Sequence, residues 1–510
     1  MSSTPPDVSN ILNWLRATAR DGQLSSDSRN IAAGDVFVAY PGDSADGRNY
    51  ISQAIEKGAR AVLHEQRDFE WNPAWNAEHL AMPDLKRVAG AVANAWYGKP
   101  DAGMFVAAVT GTNGKTSCTQ WLGSALSRLA EPTAVVGTLG IGLYRRGVHA
   151  GFRATGYTTP DAVQLQRALK QMHDAGAQAL AIEASSIGLD QGRLNGLHVD
   201  VALFTNFTRD HLDYHGDMVR YEAAKTALFN WPGLRHAVIN LDDDMGMRLV
   251  QRLKETNPAL PLIGYSITGR APEGVATLRA SDIRSSHGGT AFRLDSLFGS
   301  AQVKVQLVGD FNVSNVLGVL GVLLAKGIRF KPAVDAIEAL GAVPGRMQQF
   351  GGQDAPLVVV DYAHTPDALE KALATLRQVA QQRSGQLWCV FGCGGDRDPG
   401  KRPQMGAVAQ AADHIVVTSD NPRSEEPAAI LAQIVGGIGK ARREREAVIE
   451  DRASAILWAV RHAGKNDVVL LAGKGHENYQ EVNGRKLPFL DADHAALALA
   501  SRVTMKGNVG

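Results

Sequence analysis

The run MFVAAVT, Met104 to Thr110, leads directly into Gly111-Thr112-Asn113-Gly114-Lys115-Thr116, and SCTQWLGSALSRL, Ser117 to Leu129, follows it. An apolar β-branched run, a glycine-rich turn and a helix-forming stretch predict strand, tight loop and helix. Such a loop turns backbone N–H groups toward an anion, and the helix N-terminus adds partial positive charge. Lys115 is then placed to reach the β- and γ-phosphates of a nucleotide, and the Thr116 hydroxyl to hold Mg2+. The general phosphate-loop spacing would put a glycine at Val109; here the first glycine is Gly111, so the loop is a short variant.

The same rhythm continues outward from this loop. ALAIEAS from Ala179 follows a helical stretch ending near Gly176, and VDVALFTN from Val199 precedes a polar loop. Strands alternating with helices at this spacing predict a parallel sheet covered on both faces. Upstream, short apolar runs alternate with turn signals, with a helix expected over 50–57 and a strand over 60–64, until Gly98-Lys99-Pro100 breaks the chain. Downstream, a second break falls near Leu340-Gly341. Beyond it PLVVVDYAH, QLWCVFGCGGDRD, HIVVTSDNPR and DVVLLAGKGHE each end in polar residues, and open α/β sheets collect ligands at such strand ends. The fold class is therefore α/β with three domains: a small mixed unit over 1–99, a central parallel-sheet unit with the phosphate loop over 100–341, and a Rossmann-like unit over 342–510.

Composition narrows the partners. The 510 residues are 45% hydrophobic and 21% charged, with Lys+Arg 53 against Asp+Glu 52, so no global field holds nucleic acid or an anionic membrane. Any anionic ligand must be captured locally. Cys118, Cys389 and Cys393 are too few for a disulfide framework, no Cys/His spacing matches zinc, and a reducing cytoplasm is the simplest compartment. The first residues, MSSTPPDVSN, lack the pattern of a signal peptide, and the longest apolar stretch, Val316 to Ala325, is well short of the ~20 residues that span a bilayer. The mixed-charge run KARRERE from Lys440 reads as a solvated helix face.

GTNGKTS, EASSIGL, TNFTRDHLDYHG, YEAAK, GDFNVSN, PGRM and DYAHTPD occur in this order, and together they resemble the Mur ligases of peptidoglycan synthesis. The likeness covers all three units. It implies an enzyme that uses ATP to make an acyl phosphate and joins an amino acid to a UDP-N-acetylmuramoyl peptide. DNPRSEEP, from Asp420, points within the family to addition of meso-2,6-diaminopimelate to the D-Glu of UDP-N-acetylmuramoyl-L-Ala-D-Glu.

The resemblance also implies roles for individual residues. Gly111, Thr112, Asn113, Gly114, Lys115, Thr116, Ser117, Asn312, Arg346 and Asp361 would bind ATP; Lys115, Lys225 and His211 would be catalytic. Thr116, Glu183, His211 and Lys225, the last as a carbamate (N6-carboxylysine), would hold Mg2+. A magnesium–histidine contact is unusual for a hard cation, whereas a carbamate turns a repelling ammonium into a carboxylate. Ser26, Ser28, Asp43, Ser44, Ala45, Tyr157, Thr158, Thr159, Ser185, Gln191 and Arg193 would bind the UDP-muramoyl dipeptide. Arg397, Asp420, Asn421, Pro422, Arg423, Gly473 and Glu477 would bind diaminopimelate. That amino acid differs from lysine by one carboxylate, which a guanidinium fork reads bidentately. The competing readings are a lysine-adding or folylpolyglutamate-type relative, and a non-catalytic nucleotide-dependent regulatory module. The short loop and the lack of a basic track argue against a P-loop motor or GTPase. A monomer without nucleic acid or membrane insertion is expected.

Overall fold

The computed structural model describes residues 8–42, 45–286, 289–439 and 446–507. Three large sheets organise them, beside a two-stranded hairpin, Tyr479–Val482 with Arg485–Pro488. The first has the strands Leu24–Ser25, Val36–Ala39, Ala61–Glu65 and Glu78–Met82 in chain order, all parallel. All four residues of Val36–Ala39 are buried, because each face is covered: Val36 and Val38 pack with Ile11, Leu15 and Val88, and Phe37 packs with Ile51 and Ala54. The helix expected over 50–57 is Ile51–Glu56, entered through a 3-10 turn over Gly47–Tyr50, and the strand expected over 60–64 is Ala61–Glu65.

In the central sheet the strand Phe105–Thr110 lies between Val201–Phe204 and Ala179–Glu183, parallel to both. Parallel pairing runs outward to Ala276–Ser286 on one side and Thr133–Gly137 on the other, where antiparallel hairpins extend both edges. Side chains alternate across Phe105–Thr110. Ala107 and Val109 meet the helices Lys115–Arg128 and Asp310–Ala325, while Val106 and Ala108 meet Leu165, Leu169 and Leu249 on the opposite face. The long apolar stretch Val316–Ala325 belongs to the helix Asp310–Ala325. It is apolar around its circumference because it lies in the core, where Val316, Leu317, Val319, Leu320, Val322 and Leu323 have no exposure. Among the described residues no helix is long and apolar enough to cross a membrane.

The third sheet runs Gln348–Gly351, Leu357–Asp361, Val468–Ala472, Leu387–Phe391, His414–Val417 and Glu446–Val448, with only the first strand antiparallel to its neighbour. The four sequence runs beyond residue 341 are the parallel strands other than Glu446–Val448. The last of them in the chain, Val468–Ala472, sits at the centre, which brings the loops after Asp361, Phe391, Val417 and Ala472 to one edge. Gly98-Lys99-Pro100 lies between the helix Leu85–Trp96 and the strand Phe105–Thr110, and Leu340-Gly341 between the helix Phe330–Glu338 and Gln348–Gly351. Of the KARRERE run, residues 440–445 lie outside the described residues, and its last residue, Glu446, opens a strand where a helix was expected.

Candidate active site

The phosphate loop is held by close backbone packing. Gly111 has φ +144 and Gly114 φ +87, and a Cβ would stand 1.9 Å from Thr205 Oγ1 at the first and 2.6 Å from Asn315 Oδ1 at the second. Only glycine fits both conformation and space. The N–H of Thr112 donates to the Asn206 carbonyl at 2.8 Å and that of Asn113 to Asn206 Oδ1 at 2.9 Å. The helix Lys115–Arg128 starts directly after Gly114, so its first N–H groups face the loop without intrahelical partners.

Two lysines converge beneath this turn. Lys115 Nζ donates to the carbonyls of Gly111 at 2.9 Å and Thr112 at 2.7 Å, and Lys225 Nζ donates to the same Gly111 carbonyl at 2.7 Å while lying over the Tyr221 ring. Burial lowers the pKa of Lys115 against the opposing pull of Glu183 and Asp210. Burial, reinforced by the charge of Lys115, pushes Lys225 well below the usual lysine range. A neutral amine is the form of lysine that can take up carbon dioxide.

A cleft of about 810 Å³ runs from this loop to the third unit and is lined by Tyr157, Thr158, Thr159, Glu183, Ser185, Arg193, His211, Asn312, Arg346, Asp361 and Arg397 as well as the loop. Glu183 is completely buried, and Thr138 clamps it, donating through its N–H to Oε1 at 2.8 Å and through its hydroxyl to Oε2 at 3.0 Å. Arg346 reaches across from the third unit, with Nη2 3.2 Å from Thr116 Oγ1 and its guanidinium over the Tyr362 ring. Asp361 accepts from the Met347 N–H at 2.8 Å, and burial raises its pKa. Asn312 donates to the Val308 carbonyl at 2.9 Å.

Asp210 was not singled out in the sequence, although it precedes His211. Burial alone would raise its pKa, but the charges of His211, His364 and Lys401 hold it at about 2. His211 adopts φ +52 and burial lowers its pKa; His364, 3.9 Å from Asp210, is pushed down to about 4 by burial and by Lys401. Hard carboxylate and hydroxyl oxygens from Glu183, Asp210 and Thr116 line one cleft and suit Mg2+, while the His211 nitrogen suits it less.

On the peptide side, Thr159 donates to the Glu183 carbonyl at 2.7 Å and lies 2.9 Å from the Ser185 hydroxyl, which caps the helix Ser186–Asp190. Arg193 donates to the Thr159 carbonyl and to Gln191 Oε1, both at 2.8 Å, and stacks on the exposed Tyr157 ring. Thr158 lies 3.2 Å from the Thr138 hydroxyl. In the first unit, Ser26 donates to Asp161 Oδ1 at 2.8 Å and the buried Ser28 to Gln53 Oε1 at 2.6 Å, so both hydroxyls are engaged within the protein. Ala45 is exposed and accepts from the Gly42 N–H; Asp43 and Ser44 lie outside the described residues.

The residues expected to bind the amino acid gather at the edge of the third sheet, beside the cleft and, apart from Arg397, not on its wall. Gly473 has φ +111, with room for no Cβ beside Asp420 Oδ2. Asn421 Nδ2 donates to Glu477 Oε2 at 2.7 Å, and the Asn421 carbonyl accepts from the Gly395 N–H. Pro422 accepts from the Glu425 N–H. Arg423 takes φ +54, pairs its backbone with Glu481 and Asn483 of the hairpin Tyr479–Val482 and Arg485–Pro488, and donates to the Gly395 carbonyl at 2.6 Å. Arg452, wholly buried against Asp491 at 2.7 Å, also donates to the Ala472 carbonyl, steadying the strand end before Gly473. Arg452 and Thr138 had no motif signal of their own, and His364 and Lys474, though inside DYAHTPD and DVVLLAGKGHE, were given no role from the sequence.

Fold and cleft together define an α/β enzyme built around a nucleotide-phosphate loop and completed by groups from the third unit. Family models match the chain in three places: the Mur ligase family catalytic domain over 23–97, the Mur ligase middle domain over 109–323 and the Mur ligase glutamate ligase domain over 345–475. The chain belongs to the Mur ligase family. It is 66% identical to UDP-N-acetylmuramoyl-L-alanyl-D-glutamate–2,6-diaminopimelate ligase of Janthinobacterium sp. (strain Marseille), over 98% of each chain. A solved structure of a ligase of the same name aligns with TM-score 0.65 and 37% identity over 94% of this chain and 95% of the other. A MurF ligase from Thermotoga maritima in complex with ADP shares the fold, with TM-score 0.64 and 18% identity over 94% and 98% of the two chains.

Proposed function

We propose that this protein is the ATP-dependent ligase that adds meso-2,6-diaminopimelate to the D-Glu of UDP-N-acetylmuramoyl-L-Ala-D-Glu. The observation that carries the reading is one cleft whose wall includes the phosphate loop, the Tyr157–Thr159 segment and, from the third unit, Arg346, Asp361 and Arg397. Two reacting substrates and a nucleotide need such a shared space.

A carboxylate cannot expel oxide when an amine attacks it, so its oxygen first takes the γ-phosphoryl group and ADP leaves. The amine nitrogen then bonds to the acyl carbon, the carbon–oxygen bond to phosphate breaks, and the amine loses a proton. Phosphoryl transfer depends mainly on positioning and charge neutralisation. Lys115 and the N–H groups opening the helix Lys115–Arg128 would hold the phosphates, Arg346 would add positive charge from the opposite wall, and Asp361 would accept ribose hydroxyls. Asn312 would lie against the adenine. Thr116, Glu183 and His211, with Lys225 as a carbamate, would hold Mg2+, which neutralises phosphate charge when bound.

Ser26, Ser28 and the 43–45 loop would receive the uridine diphosphate, and Thr158, Thr159, Ser185, Gln191 and Arg193 the muramoyl dipeptide. Arg423 would read the distal carboxylate of diaminopimelate and Glu477 its ammonium, with Arg397, Asp420 and Gly473 completing that subsite. This division of labour supports domain boundaries near residues 99 and 341. Three buried free thiols fit a reducing cytoplasm, and we take the working form to be a monomer. The test is substrate omission: phosphate release requires ATP, Mg2+, UDP-dipeptide and diaminopimelate together. Release that continues without either the UDP-dipeptide or the amino acid would refute ligation.

A further inference from the structure

The third unit contains a completely buried lysine that the phosphate chemistry does not use. Lys474 follows the strand Val468–Ala472 and sits between Gly473 and Gly475, whose φ values are +111 and +52. A Cβ at Gly473 would lie 2.6 Å from Asp420 Oδ2, and one at Gly475 2.8 Å from Tyr362 Cβ, so the bend is packed tightly on both sides. Lys474 between them has no exposure. Its Nζ donates to Asn421 Oδ1 and to Glu477 Oε2, each at 3.1 Å.

These two bonds settle the orientation of both partners. Asn421 Oδ1 also accepts from the Glu481 N–H at 2.9 Å, and its Nδ2 donates to Glu477 Oε2 at 2.7 Å, so the amide has one consistent orientation. Glu477 Oε2 thus receives two N–H donors from inside the protein. Its other oxygen, Oε1, lies 3.5 Å from the hydroxyl of Tyr362, a residue of the cleft wall. Without Lys474 the Glu477 carboxylate would keep one inner donor, Asn421 Nδ2, and Asn421 Oδ1 would keep only the Glu481 N–H.

We infer that Lys474 is a positioning residue for the incoming amino acid, holding Asn421 and Glu477 so that Glu477 Oε1 is presented to the ammonium group of a diamino acid. The inference rests on the ligase reading above. Steady-state kinetics of Lys474→Met test it, with melting curves to establish folding. The KM for diaminopimelate rises about tenfold or more, as loss of a hydrogen bond to a charged group implies, while the KM values for ATP and UDP-dipeptide stay within about twofold. In a double-mutant cycle, Lys474→Met adds little to the KM increase of Glu477→Gln, because both act on one carboxylate. An unchanged diaminopimelate KM in a folded Lys474→Met variant overturns the inference, as does a parallel rise in all three KM values. If Lys474→Met does not fold, the double variant, which removes both charges, is compared with Glu477→Gln alone; a further large rise in KM overturns the inference. Failure of the ligase reading is seen separately, as absence of diaminopimelate-dependent phosphate release by the unmodified enzyme.

Discussion

The phosphate loop and the proposed amino-acid subsite are built in opposite ways. The loop is the four residues 111–114 between one strand and one helix, its conformation fixed by Gly111 and Gly114, and Lys115, Thr116 and the first N–H groups of the helix follow directly. The proposed amino-acid subsite draws on the segments around residues 397, 420–423 and 473–477, brought together by sheet order and steadied by buried charged side chains. A locally built site tolerates changes elsewhere, whereas an assembled one depends on the packing that joins its pieces.

The largest effect that could break this contrast is at Arg452, far in sequence from the phosphate loop. Arg452→Leu leaves Asp491 buried and unpaired, at a cost of about 3–5 kcal/mol. Calorimetry should show a lower melting transition, with amino-acid use impaired more than ATP binding; equal stability would show that the buried pair does not support the third sheet. At the loop, Lys115→Ala should lower kcat by roughly 10²–10³-fold, the scale of losing one preorganised charge-stabilising group, with the melting temperature little changed. Retained turnover would remove Lys115 from the chemistry.

A smaller effect is expected for Arg423→Ala. Losing a charge-assisted contact worth about 1.5–3 kcal/mol should reduce preference for diaminopimelate over L-lysine by roughly 10–100-fold. Measured ratios of kcat/KM check this, and an unchanged ratio would assign carboxylate recognition to another group such as Arg397. The smallest effect lies away from both sites. His198, bonded to Asp101 at 2.9 Å and Asp200 at 3.2 Å, is raised to about 9 by those carboxylates, with Arg235 also facing Asp200. Its folded pKa exceeds the ordinary 6.5, so its contribution to stability is complete below 6.5 and lost as pH rises through 9. His198→Gln should flatten the melting temperature across that window; an unchanged slope would refute the coupling.

The same contrast explains what could be read from the chain. Strand, loop and helix around Gly111 follow from local pattern and turn chemistry, and the parallel strands beyond residue 341 announce themselves as apolar runs with polar ends. Sheet order is not local: nothing in DVVLLAGKGHE says that it occupies the centre of its sheet. Thr138, which clamps Glu183, and His364, which faces Asp210, belong to elements that pattern alone does not bring to those carboxylates. The role of Lys474 was equally hidden although it lies in DVVLLAGKGHE, because a lysine in a polar loop ordinarily reads as a solvated charge.

The central claim is that this enzyme selects an amino acid carrying a second carboxylate. Its most direct test offers the unmodified protein meso-diaminopimelate, other diaminopimelate isomers, L-lysine and ornithine in parallel, with ATP, Mg2+ and UDP-dipeptide, and detects the UDP-tripeptide by mass. The account predicts efficient product formation with meso-diaminopimelate and little with L-lysine or ornithine; equal turnover of L-lysine would contradict it.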